Sequence, residues 1–338
     1  MALIYIDGFD HYTNSEANYK GWSFHNTYND FSPSSYGRFG SGGVRTTYDN
    51  QAVKRNIGVN KSTLYVGIAF AKWEAGTPVF DSSSPLILFQ DESEVDQVKF
   101  HLSPTYQILA YQGDGTLLGT SAVDILKDYV WKYLEVKVTI SATVGVVEVR
   151  VNGVEIINET GLDTKNGTDY MRYFGFSAIP TNRTVYYDDL YIDDAQFHGD
   201  CRVKTFMPDS DSATHTDFVR STGSNDYECV DESDPNDDTD YIYANTVGDI
   251  SAFGITTGSL GTVQGIQLNN YLRKDDAGTR KIKPLIRSNS SDYQGTELDD
   301  VPANYTFYSD IWETDPDDSN PWTQTKLEAA EFGLEITT

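Results

Sequence analysis

The sequence predicts an all-β chain of two β-sandwich domains, the second smaller and carrying one short helix near its C-terminus. Three observations carry this reading. The 338 residues exceed one ordinary sandwich and suit two domains. Strand formers dominate, with 23 Tyr and 16 Phe beside many Val, Ile and Thr, while Gly, Ser, Asn and Asp fill the intervals between them. Apolar residues also recur at every second position over short runs, which is the period of a half-buried strand.

Residues 63–71 alternate, with Leu64, Val66, Ile68 and Phe70 on one face. Residues 85–90 and 95–102 supply two more strands, separated by an acidic turn. Within 131–140, Leu134, Val136, Val138 and Ile140 point one way; Trp131, Tyr133, Glu135, Lys137 and Thr139 point the other. Beyond Gly145, the residues Val147, Val149 and Val151 face inward, and Asn152-Gly153 then marks a tight hairpin leading into 154–156. Residues 171–179 and 184–193 complete a set of short strands suited to two antiparallel sheets packed face to face. The domain boundary falls near 197, giving domains 1–197 and 198–338. The second opens at 201–208, crosses a polar, acidic stretch at 209–240 and forms strands at 261–272 and 280–287. Residues 321–332 are the helix candidate, with Thr323 or Thr325 as its cap, and a last strand follows at 333–336.

The formal net charge is −26, from 51 acidic against 25 basic residues. Such a surface repels phosphate backbones and anionic lipid heads, so the expectation is no nucleic-acid partner. No apolar run reaches 18 residues, and the N-terminus enters strand-like sequence without the pattern of an export signal. Membrane insertion is therefore not expected. Cys201 and Cys229 are too few for a disulfide framework; one bridge between them is open, and two free thiols are the expectation.

Three segments together resemble the concanavalin A-like, laminin-G-like jelly roll: 131–140, 145–155 with its Asn-Gly turn, and Tyr187-Asp-Asp-Leu-Tyr-Ile-Asp-Asp194. The resemblance covers roughly residues 3–195. The second half is similar to a domain that follows such jelly rolls in bacteriophage tail and virion proteins. The matching segments are 199–205, 221–225, 230–241, 273–280 and 312–316, in that order. This implies a non-enzymatic virion structural protein of tail, baseplate or head exterior. It would be assembled in the host cytoplasm as a homo-oligomer among capsid, portal or tail proteins, with a lectin-like domain open to host surface glycan. Two alternatives stand beside it: a glycan-binding adhesin or receptor-binding protein, and a glycan depolymerase or lyase.

Glycanases of the resembled fold that retain configuration carry Glu-X-Asp-X-X-Glu on one strand, which sets two carboxylates about 5–5.5 Å apart. The nearest match here, Glu94-Val-Asp96-Gln-Val-Lys99, has a lysine in the third position, so that chemistry fails. No Gly-X-Ser-X-Gly or His-Glu-X-X-His occurs among the motifs around the five histidines. Calcium is the cofactor to weigh. In the resembled fold it joins the final strand to the chain's start, which makes Asp7, Asp188 and Asp189 the candidate ligands, with Asp188 facing inward and Asp189 outward. Residues 234–240 imitate the start of an EF-hand, but Thr239 and Asn245 stand where Gly and Glu are required. Carbohydrate would stack on loop aromatics, for which Trp22, Tyr28, Tyr36 and Trp73 are the candidates.

Overall fold

The structure, a computed structural model, describes residues 3–24, 29–47, 52–72, 85–127, 130–179 and 184–338. The chain is all-β and divides into two compact units, Met1–Lys204 and Thr205–Thr338.

The strands of the first unit are β1 (Leu3–Asp7), β2 (Trp22–Ser23), β3 (Asn29–Ser32), β4 (Gly43–Thr46), β5 (Val53–Lys61), β6 (Thr63–Lys72), β7 (Ile87–Gln90) and β8 (Asp96–Leu102). They continue with β9 (Ile108–Gln112), β10 (Leu117–Thr120), β11 (Lys132–Thr139), β12 (Gly145–Val151), β13 (Val154–Leu162), β14 (Met171–Phe176) and β15 (Val185–Asp193). One sheet runs β13-β12-β11-β6-β15-β4-β3, with β1 also paired to β15; the other runs β10-β9-β8-β7-β14-β5-β2. The alternation of β6 puts Leu64, Val66, Ile68 and Phe70 into the interior, each at most 1% exposed. Aromatic rings from the two sheets meet there, as where Phe176 lies 4.4 Å from Tyr187 between centroids. Asn152 and Gly153 both take positive φ, 49° and 77°, the geometry that tight hairpins demand and that Asn and Gly accept at least cost.

The structure differs from the sequence reading at three points. The outward side of β11 is not open: Tyr133 and Glu135 are both buried. Glu135 accepts from Tyr191 Oη at 2.6 Å and from the Gly199 amide at 2.7 Å, so the segment after β15 lies over this part of the sheet. At Gly8 a Cβ would come within 2.5 Å of the Val203 carbonyl, so only glycine admits that close approach. The first unit therefore extends past 197 to Lys204. Alternation also fails within β15. A bulge lies between Asp188 and Tyr191, Asp189 takes φ 52°, and both aspartates are buried rather than one facing out.

The second unit contains β16 (Ser210–Thr216), β17 (Val219–Arg220), β18 (Ile242–Tyr243), β19 (Ile250–Gly254), β20 (Ile266–Leu272), β21 (Ile282–Ser288), β22 (Ser291–Gln294), β23 (Thr306–Trp312) and β24 (Glu331–Ile336). A five-stranded antiparallel sheet, β16-β19-β24-β21-β22, is accompanied by the ribbons β17-β18 and β20-β23. Ile286 of the sheet packs with Trp322, Leu327 and Ala330, and with Ile266 and Trp312 of the β20-β23 ribbon. The short helix Gln324–Ala329 is capped by Thr323, whose hydroxyl accepts from the Lys326 amide.

Candidate functional site

Of the four aromatics singled out in the sequence, the structure describes Trp22 and Tyr36. Tyr28 and Trp73 lie outside the described residues. Trp22 is 2% exposed, so its ring cannot meet a sugar. It packs at 5.7 Å from both Phe9 and Phe176, and β2 directs it inward because the neighbouring Ser23 takes the solvent side. Tyr36 is half-buried, stacked on Tyr186 at 5.4 Å and 8°, with its hydroxyl donating to Asp30.

The three aspartates do not converge either. Asp7 is fully engaged by chain donors: Tyr5, Tyr12 and Trp22 on one oxygen and the Phe9 amide on the other. Asp188 accepts from the Arg38 and Asp189 amides at 2.7 Å and from Ser41 Oγ at 3.1 Å. Asp189 takes the Val203 amide at 2.8 Å and pairs with Arg38 at 3.3 Å. Burial and the charge of its neighbour push Asp188 above the ordinary carboxylate range, and burial pushes Asp189 up as well. No group of three or more His, Cys, Asp or Glu arranged to hold a metal occurs among the described residues. In the second unit, the acidic run near 237 holds its own neighbours: Asp237 accepts from Tyr271, and Asp238 accepts from Arg273 and Tyr305. Cys201 and Cys229 are free thiols.

The residues that fail as a glycanase motif lead instead to a polar face. Directly opposed residues continue across the second sheet in one row: Leu117, Tyr111, Lys99, Leu88, Gly175, Lys54 and Ser23. Their strand neighbours Phe100, Phe174 and Val53 fill the core, so the row lies on the outer face. A second row beside it carries Gln90, Tyr173 and Asn56.

Local structure places each group. The Asp91 carboxylate accepts from the Ser93 and Val95 amides, closing the β7–β8 turn and presenting Glu94 at φ 59°. Glu94 pairs with Lys54 at 2.8 Å, linking that turn to β5 with β14 between them. At Gly175 of β14 a Cβ would meet Leu88 Cδ2 at 2.9 Å, so the row has no room for a side chain there. Lys99 pairs with Asp96 at 3.1 Å, and Gln90 Nε2 donates to the same aspartate at 2.8 Å. Asn56 Nδ2 donates to Tyr173 Oη at 3.1 Å. His101 lies edge-on to Tyr111 at 5.6 Å. The face is thus a strip of half-buried ion pairs, amides and phenols, able to donate and accept hydrogen bonds at closely spaced points.

No known protein family and no curated protein matches this sequence. Similar solved structures include the alginate lyase Aly36B, at 10% identity and TM-score 0.34, covering 55% of this chain and 91% of that one. The carbohydrate-binding module CBM66 from Bacillus subtilis is similar at 9% identity and TM-score 0.33, covering 52% of this chain and 96% of that one. Domain 4 of AbnA, an extracellular arabinanase from Geobacillus stearothermophilus in complex with arabinotriose, is 14% identical at TM-score 0.36, covering 57% and 93%. No helix among the described residues is long and apolar enough to cross a membrane.

Proposed function

We propose that the first unit binds glycan on the outer face of its second sheet, within a non-enzymatic structural protein of a bacteriophage particle. The observation that carries the glycan reading is the lateral row through Tyr111, Lys99 and Lys54, flanked by Gln90, Asp96, Tyr173 and Asn56. A sheet face of this kind matches a ligand rich in hydroxyls, because each hydroxyl can accept from an ammonium or amide and donate to a carboxylate. The virion placement is supported by the phage-like segments 199–205 and 230–241 and by the strongly acidic composition, which suits a soluble component held at high local density. Its partners would be other virion proteins and further copies of this chain.

Glycan-array binding by the intact protein, lost in Lys99→Met, tests the first part. Recovery of the chain at symmetric positions on purified particles tests the second. The lyase reading is favoured by one arrangement: Lys99 and Tyr111 are directly opposed and His101 touches Tyr111, a set able to move protons at a sugar carbon. An unsaturated sugar released from polyuronate would establish that activity in place of simple binding.

A further inference from the structure

We infer that the glycan taken by this face is uncharged, an inference that rests on the glycan-binding reading above. Among the described residues, three cations of this region each have an acid beside them: Lys54 with Glu94 at 2.8 Å, Lys99 with Asp96 at 3.1 Å, and Arg172 with Glu92 at 4.0 Å. An anionic sugar would have to displace these carboxylates from their cations. It would also approach against the field of a chain with net charge −26.

A hydroxyl faces no such competition. Beside Lys99 and Asp96 it can accept from Nζ and donate to the carboxylate, leaving the ion pair intact. Gln90 is engaged in the same way: its Nε2 donates to Asp96 at 2.8 Å, so the amide beside Lys99 already serves that carboxylate. Neutral hexose, hexosamine or deoxyhexose chains fit these requirements, and hexuronate, sialylated or sulfated chains do not.

The test is binding of the intact protein to neutral hexose oligosaccharides and to hexuronate oligosaccharides of equal length, by titration calorimetry at low and high salt. Binding to the neutral series, changing less than about twofold with salt, is expected. Lys99→Met and Asp96→Asn should each weaken it by about tenfold or more. Lys54→Met and Glu94→Gln, at the more exposed pair, should weaken it too and guard against a folding defect in the first two. Preferential, salt-sensitive binding of hexuronate would overturn the inference while leaving the glycan-binding face in place. Neutral-sugar binding untouched by all four substitutions would overturn it as well, since the ligand would then sit elsewhere. Failure to bind either series would remove the glycan-binding reading itself.

Discussion

Trp22 donates its indole N–H to the carboxylate of Asp7 at 3.1 Å in the interior of the first sandwich. The same carboxylate takes the hydroxyls of Tyr5 and Tyr12, and the Lys20 ammonium stands 3.8 Å away with no exposed side-chain surface. Burial alone would raise the Asp7 pKa, but Lys20 and the donated hydrogen bonds outweigh it and hold the carboxyl below its ordinary value. Burial in turn pulls Lys20 down to about 8. Asp7 is thus the counter-charge and hydrogen-bond hub of a closed cluster.

Asp7→Asn should therefore cost about 3–5 kcal/mol, because it leaves a buried ammonium without its counter-charge. Urea unfolding followed by tryptophan fluorescence measures this. Since Asp7 has its pKa depressed on folding, its contribution is present above about pH 3.9 and disappears as pH falls through the folded value. Calcium should leave the urea midpoint unchanged, as each Asp7 oxygen already has donors; a rise on adding calcium would contradict this account.

Asp188 and Asp189 behave oppositely with pH. Both are raised on folding, by burial and, for Asp188, by the charge of its neighbour. A carboxyl raised in this way adds stability that is complete below the unfolded pKa, near ~3.9, and is lost as pH rises through the folded value. Stability of the first unit should accordingly fall between about pH 4 and 8. The fall should be at least about 1.4 kcal/mol, the equivalent of one tenfold change in proton affinity. Asp188→Asn should flatten this limb. A variant that retained the full slope would show that other groups control it.

Much of the fold can be read in the sequence because period-two alternation and turn chemistry are local properties. The Leu64–Phe70 alternation and the positive φ at Asn152 and Gly153 need only neighbours along the chain. The bulge at Asp189 defeats the same reasoning, since one irregular residue resets which side chains face inward. Trp22 misleads for a related reason: it lies in a loop-rich stretch, yet two strand residues turn it into the core. The polar face was hidden more deeply. Lys99 and Tyr111 are near in sequence, but Lys54 joins them only because β14 inserts between β7 and β5. In the sequence, the polar positions of β8 look like any solvent-facing half of a strand. Lateral strand order is a long-range property, and alternation carries no information about it.

The segment following β15 should contribute measurably to the first unit. Residues 198–203 are docked by the His198 amide on Tyr191, His198 Nε2 on Asp193, the Gly199 amide on Glu135 and the Val203 amide on Asp189. At about 1 kcal/mol per net hydrogen bond, these are worth on the order of 4 kcal/mol together. A fragment ending at Lys204 should melt well above one ending at Phe197, and Tyr191→Phe in the longer fragment should recover part of the difference in the destabilising direction. Equal melting of the two fragments would mean that the segment merely lies on the surface.

The second unit depends on a much smaller core, so single aromatics matter more there. Trp322 is 2% exposed, packs among Ile286, Leu327, Trp312 and Phe332, and donates its indole N–H to the Trp312 carbonyl at 3.0 Å. Trp322→Ala removes that packing and strands the carbonyl, at a cost of about 3–5 kcal/mol. A unit of this size has little stability to spare, so most of it should be lost. Trp322→Phe keeps a ring in place and should cost less. Proteolysis resolved by mass spectrometry separates the outcomes. Cleavage in Trp322→Ala should concentrate within Thr205–Thr338 while Met1–Lys204 persists as a resistant fragment. Loss of both units together would show that they unfold as one, and unchanged resistance would show that the Trp322 cluster does not support the second unit.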